Sequence, residues 1–419
     1  MTGKERINAV LSHNEADKIA LDFGATTVTG IHAKMIAALR QHYGLDAKPV
    51  KIVEPYQMLG EVDEELARIW NMDTLAVGGQ YDMFGHKQEN FVEARMPWGQ
   101  IVLLPESFKM KEENGDVYVF PQGDMHYPPT AVMPSGGYFF DAIERVPATD
   151  FDAELNIEDN LEEFTLLNEQ DVARWKDALT KARATGRAVV ANIGGTGLGD
   201  IALVPAMNLK SPKGIRAIAD WYMSTVARED FIREIFDRQT DIAIRNLEKI
   251  NLAAGDCIDV MYECGTDFGT QDSQFCSAET LSSLYGPAYR KINDWVHKNT
   301  QWKTFKHCCG AIVPLLDTLI DIGFDIINPV QINAAGMDPQ FLKDTFGKRI
   351  TFWGGGVDTQ KVLQLGTPEQ VSGQVRQLCD IFGANGGFVF SSVHNIQANV
   401  PVRNVIALMD TISEIRNRQ

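Results

Sequence analysis

Residues 307 to 311 read His-Cys-Cys-Gly-Ala and end an extended run that begins at Trp302. Side chains alternate faces along a strand, so His307 and Cys309 point the same way and Cys308 points away. A neutral imidazole and a thiolate are good zinc ligands. Two ligands do not make a site, and the partners must come from elsewhere in the fold. The run "SSVHN" offers His394, and "YECGTDFGTQDS" offers Glu263, Asp267 and Asp272. A buried thiol pair beside a hydrogen-bonded histidine is the plain alternative. The glycines around Glu263 and Asp267 let backbone approach a ligand closely. These carboxylates could serve as a ligand, a proton carrier or a substrate anchor, or form an Asx-type turn at a loop start.

Two glycine clusters could also bind. "NIGGTGLGD" places Gly195, Gly197 and Gly199 after an apolar run. Its G-x-G-x-G spacing misses the dinucleotide fingerprint, and no clean helix start follows. "FWGGGVDT" could cradle an anion through its backbone N–H groups. Alternatively, Gly354 and Gly355 make room for a ligand or cofactor over Trp353.

Eight apolar runs with polar or glycine-rich ends can carry these residues: 18–27, 73–79, 188–197, 256–267, 302–311, 324–331, 349–358 and 387–395. Helical patterns lie between them, over 30–44, 61–71, 211–229, 230–253, 279–299, 312–323, 367–383 and 401–418, with apolar residues recurring at three and four. Strands alternating with helices predict parallel βαβ units, and eight of them predict a (β/α)₈ barrel. Residues 84–150 break the rhythm. They read as β-hairpin material with a turn at "ENGD", an insertion over the mouth of a single 1–419 domain. The polar clusters fall at the C-terminal ends of the strands, where catalytic residues of this fold lie.

Composition narrows the classes. The chain has 419 residues, a formal net charge of −17 and six cysteines. The charge opposes a nucleic-acid surface, and the cysteines are too few for a disulfide framework. No run reaches the length of a membrane span. The polar, amphipathic start lacks the apolar core of a signal peptide, so a cytoplasmic protein is expected.

The stretch 307–371, "HCCGAIVPLLDTLIDIGFDIINPVQINAAGMDPQFLKDTFGKRITFWGGGVDTQKVLQLGTPEQV", resembles the uroporphyrinogen decarboxylase-like superfamily. Within it, the chain is most similar to the cobamide-dependent branch that includes methylcobamide:coenzyme M methyltransferases. The opening "TGKERINAVLSHNEADKIALDFGATTVTGIH" carries the same likeness. The resemblance implies a zinc ion on His307, Cys309 and a third ligand. His394 stands at or next to the position where thiol-activating members carry a cysteine, so His394, Asp267 or Glu263 is left to complete the set. It also implies methyl transfer between a small methoxy-, methylamino- or thiol compound and a corrinoid. No Asp-x-His-x-x-Gly signature of a corrinoid carrier is present, so the corrinoid would be free or borne by a partner protein. The alternative is a decarboxylase using Asp267 and His394 as acid and base. The decarboxylases proper bind their tetrapyrrole's carboxylates with an arginine-rich segment. The corresponding "LDFGATTVTG" contains no arginine.

Overall fold

The computed structural model describes residues 1–418. Eight parallel strands form the central sheet: β1 (Ala20–Leu21), β2 (Thr74–Gly78), β3 (Ala188–Asn192), β4 (Val260–Cys264), β5 (Lys303–His307), β6 (Ile326–Asn328), β7 (Thr351–Trp353) and β8 (Phe388–Phe390). The ladder runs from β2 through β8 in order and then to β1, which pairs with β8. This is the α/β barrel that the eight apolar runs predict.

Alternation fills the barrel. Ala20, Val190, Val260, Phe305, Ile326, Trp353 and Val389 form one buried interior cluster. Residues two positions further along these strands, Asp22, Tyr262, His307 and Asn328, form the polar tier above it. The helix Gly3–Leu11 closes the bottom. It starts at a Thr2–Glu5 capping box and adds Ile7, Val10 and Leu11 to the same cluster.

The ladder has one gap, between β1 and β2, and Asp73 bridges it. Its backbone N–H donates to Leu21 O at 3.2 Å, and its Oδ2 accepts from Leu21 N at 2.9 Å. The Arg6 guanidinium of the first helix bonds the other carboxylate oxygen. Arg416 of the last helix, Val402–Arg418, donates to Oδ2 at 2.9 Å. One residue on, Thr74 Oγ1 donates to Asp22 Oδ1 at 2.7 Å. The seam is therefore held by buried side chains where backbone pairing stops.

The segment read as an insertion is β structure. Met110–Glu113 and Asp116–Val119 pair across the "ENGD" turn, where Asn114 and Gly115 both have positive φ (56° and 89°). That hairpin belongs to a four-stranded sheet, and a second, five-stranded sheet extends beyond the segment. Phe91–Arg95 and Ile101–Pro105 join Val50–Glu54, Leu59–Gly60 and Ile31–His32 in five strands. These layers reach the loop after β3, through Thr130 Oγ1 to Met207 O at 2.8 Å and Arg145 to Leu209 O at 2.7 Å. The helix expected over 211–229 begins only at Ile218, after Pro212 and a positive-φ Gly214. The capped helix Glu169–Arg183 and the short helix Pro339–Phe346 add to the expected set.

Removing one member of a buried, hydrogen-bonded ion cluster costs about 3–5 kcal/mol. Asp73→Ala is expected to lose stability on that scale in chemical denaturation. Asp17→Ala, which removes Arg6's other and 40% exposed partner, is expected to cost under about 1 kcal/mol.

Candidate metal centre

β5 carries Phe305 in the apolar interior and His307 in the polar tier above it. His307 Nδ1 lies 2.6 Å from Asn328 Oδ1 at the end of β6. Asn328 Nδ2 donates to Trp353 O at 2.8 Å. The amide therefore presents its oxygen to the ring, Nδ1 carries the proton, and Nε2 turns its lone pair into the mouth. Cys309 Sγ sits 3.3 Å from that Nε2. Cys308 faces away, is fully buried and accepts from Phe268 N at 3.1 Å.

His394 comes from the loop after β8. Its position follows from Asn395, whose side chain accepts from Gly30 N at 2.6 Å and donates to Thr27 O at 2.9 Å. The ligand atoms of His307, Cys309 and His394 lie within 4.8 Å of one another. Asp267 joins them from the loop after β4. Its Oδ1 accepts from Cys309 N at 2.7 Å and lies 3.9 Å from His307 Nε2.

Burial sets the electrostatics. It lowers both histidines to about 4, which leaves them neutral at pH 7. It pushes the Cys309 thiol well up, with the nearby Asp267 charge adding to the shift. It raises Asp267 as well. Such a group of lone pairs and a suppressed thiolate is relieved by a cation, which favours the deprotonated thiol. Two nitrogens and one sulfur suit zinc, with a position left for substrate. His307 and Cys309 are preset for this. His394 is not, because Asn395 N donates to its Nδ1 at 2.8 Å. A neutral ring held this way carries its proton on Nε2, so ligation through Nε2 requires that contact to be released.

The structure places two groups of sequence-predicted residues away from the three donors. Glu263 does not belong to the mouth. It follows Tyr262, whose ring packs with the interior cluster, and lies on the same side of β4 as Met261, which packs with the outer helices. Both of its carboxylate oxygens are buried without a hydrogen-bond partner. Trp353, Gly354 and Gly355 pack against protein. Trp353 is fully buried and donates to Asp22 Oδ2 at 2.8 Å. A Cβ on Gly354 would meet Ser392 O at 3.0 Å, and one on Gly355 would meet Val330 Cβ at 2.7 Å. These glycines are needed for the loops to pack on one another. Asp272 is exposed at a turn.

The sequence reading passed over Asn328 and Asp200. Asn328 was recoverable from alternation, two positions past Ile326. Asp200 closes "GTGLGD" and is 9% exposed, and burial pushes its carboxyl up to about 6.

The fold and the centre together define a (β/α)₈ barrel with three potential metal donors at the C-terminal ends of its strands. The uroporphyrinogen decarboxylase (URO-D) family model matches residues 204–415, and the chain belongs to that family. Among solved structures, a methyltransferase from Methanosarcina mazei is similar over 99% of both chains, at 13% identity and a TM-score of 0.54. This likeness is one of fold. Endo-glycoceramidase II from Rhodococcus sp. is 11% identical over 60% of this chain and 68% of its own, with a TM-score of 0.33. D-Psicose 3-epimerase from Clostridium cellulolyticum H10 is 10% identical over 60% and 84%, with a TM-score of 0.32. No curated protein sequence matches. Among the described residues no helix is long and apolar enough to cross a membrane.

Asn328→Ala frees the His307 ring, and is expected to weaken the binding of added zinc at these donors about 10–100-fold in competition with a chromophoric chelator. A second expectation concerns pH. Histidines held near 4 in the folded state and near 6.5 when unfolded bind protons mainly in the unfolded chain between those values. Their contribution to metal-free stability is therefore lost as pH falls from about 6.5 to about 4. The stability difference between the wild type and the His307→Gln/His394→Gln variant, followed by urea denaturation across that range, is expected to show this loss.

Proposed function

We propose that the chain is a zinc-dependent methyltransferase. It moves a methyl group between a small methylated compound or thiol acceptor and a corrinoid, either free or carried by a partner protein. The observation that carries this reading is the convergence of His307, Cys309 and His394 within 4.8 Å at the mouth of the barrel. These three residues would hold the zinc, which supplies a Lewis acid with an open position for a substrate sulfur, oxygen or nitrogen. The M. mazei methyltransferase, similar in fold along the whole chain, supports the same reading.

The chain's own residues do the rest. Asn328 fixes the His307 tautomer, and Asp267 pins the backbone of Cys309. The Asp267 carboxyl, 24% exposed, is placed to take or return a proton as the substrate atom gains or loses its methyl. The apolar interior below the centre keeps water out from beneath. The mouth is the face where a corrinoid would be presented, since the transfer needs the reacting atoms about 3–3.5 Å apart. Decarboxylation is the competing reading. It is favoured by Asp267, whose carboxyl is raised by burial beside His307.

About one zinc per chain is expected by elemental analysis. His307→Ala and Cys309→Ser should each lose it, and Cys308→Ser should retain it. Demethylation of a small methylated compound should require a reduced corrinoid, with loss of the cobalt(I) spectrum and growth of methyl-cobalt(III). Full metal retention in the His307/Cys309 double variant, turnover without corrinoid, or enzymatic release of carbon dioxide from uroporphyrinogen would each overturn the assignment.

A further inference from the structure

The wall facing the three donors is rich in acid and aromatic groups and poor in base. Asp267 stands beside His307 and Cys309. Asp200, from the loop after β3, reaches the same region. Its Oδ2 and the Tyr262 hydroxyl would each lie 2.9 Å from a Cβ built on Gly265, two residues before Asp267. The charge of Asp267 adds to burial in opposing ionisation of Asp200. Tyr222, on the helix Ile218–Ala227, adds a buried hydroxyl with no hydrogen-bond partner. Its ring stacks on Phe275 at 4.9 Å and 18°. Phe275 N donates to Phe268 O at 2.8 Å, next to Asp267 on the same loop, which brings Tyr222 to this side of the mouth.

Among the described residues, no lysine or arginine is ion-paired with Asp200 or Asp267. Lys306 acts on both at a distance, but its ammonium is spent on the carbonyls of Thr266 and His307. It also lies against the rings of Phe268 and Tyr289. The two carboxyls thus face the mouth without a counter-cation, beside aromatic surface of the kind that attracts ammonium groups.

We infer that the substrate taken at this centre carries a positive charge: a small thiol, ether or amine with an ammonium group a few atoms from the atom that meets the metal, and with no carboxylate or sulfonate. The inference rests on the metal-centre reading above and adds the chemistry of the substrate's tail. An ammonium supplies the missing counter-charge to Asp200 and Asp267, and can donate to both. A carboxylate or sulfonate in the same place would meet two like charges and find no donor cation, which is discrimination by repulsion as much as by attraction. An anionic thiol acceptor of the coenzyme M kind is therefore the disfavoured case.

Three two-carbon thiols separate tail charge from sulfur ligation: 2-aminoethanethiol, 2-mercaptoethanol and 2-mercaptoethanesulfonate. Each is titrated anaerobically into the cobalt(II)-substituted protein at low ionic strength, and the sulfur-to-cobalt charge-transfer band reports binding without any turnover. The aminothiol is expected to bind tightest and the sulfonate weakest, with about tenfold or more between the two, a gap that narrows as salt screens it. Asp200→Asn is expected to narrow the gap at fixed salt. Equal binding of the three thiols, or tightest binding of the sulfonate, overturns the inference while leaving the metal centre standing. Cobalt spectra that respond to none of the thiols overturn both. If Asp200→Asn fails to fold, the wild-type series alone decides.

Discussion

Asp73 sits where the barrel ladder stops, and its carboxylate, gripped by Arg6 and Arg416, stands in for the missing strand pairing. The consequences run well beyond the seam. Thr74, its neighbour, holds one oxygen of Asp22, and Trp353 holds the other. The carbonyl of Trp353 orients the Asn328 amide, and Asn328 selects the tautomer of His307. A continuous line of buried hydrogen bonds therefore links the closure of the barrel to the direction of a lone pair at its mouth. Each member has little freedom to move alone, because a buried polar group that loses its partner is costly.

The mouth itself is a set of unmet electrostatic demands. Burial suppresses positive charge on the histidines and negative charge on the thiol and carboxyls. A cation among the three donors would oppose the shifts of the thiol and carboxyls and would accept the lone pairs of the neutral histidines. On the proposed reading, zinc and a charged substrate tail would answer two halves of one imbalance. Glu263, buried on the helix side of β4 with both oxygens unbonded, lies outside this imbalance.

Most of the architecture was legible because parallel barrel strands are buried on both faces and read as dense apolar runs ended by polar clusters. His307 and Cys309 were legible for the same reason, as alternate residues at such an end. Elsewhere the pattern was less informative. Val50–Glu54 is a strand of the outer sheet with a mixed exposure pattern, and no apolar run marks it. Glu263 was misplaced because a carboxylate near a strand end looks functional whichever face it takes. In "GGG" the glycines signal close approach, but the sequence cannot say that the approaching groups are Val330 and Ser392 rather than a ligand. Asn328 and Asp200 lie far from the His-x-Cys motif along the chain and only the closed barrel brings them to it.

The seam also bears on the order of events in folding. Asp73 and Arg416 are 343 residues apart, and β1 pairs only with β8. Closing so long a loop is entropically expensive, and contacts of this separation form late. The first strand, though made early, must wait for the last strand and the last helix before it has a place. Because the line of hydrogen bonds to His307 starts at that seam, the metal donors reach their final geometry only in the completed barrel. Metal capture would therefore follow assembly and leave the route to the folded barrel largely unguided.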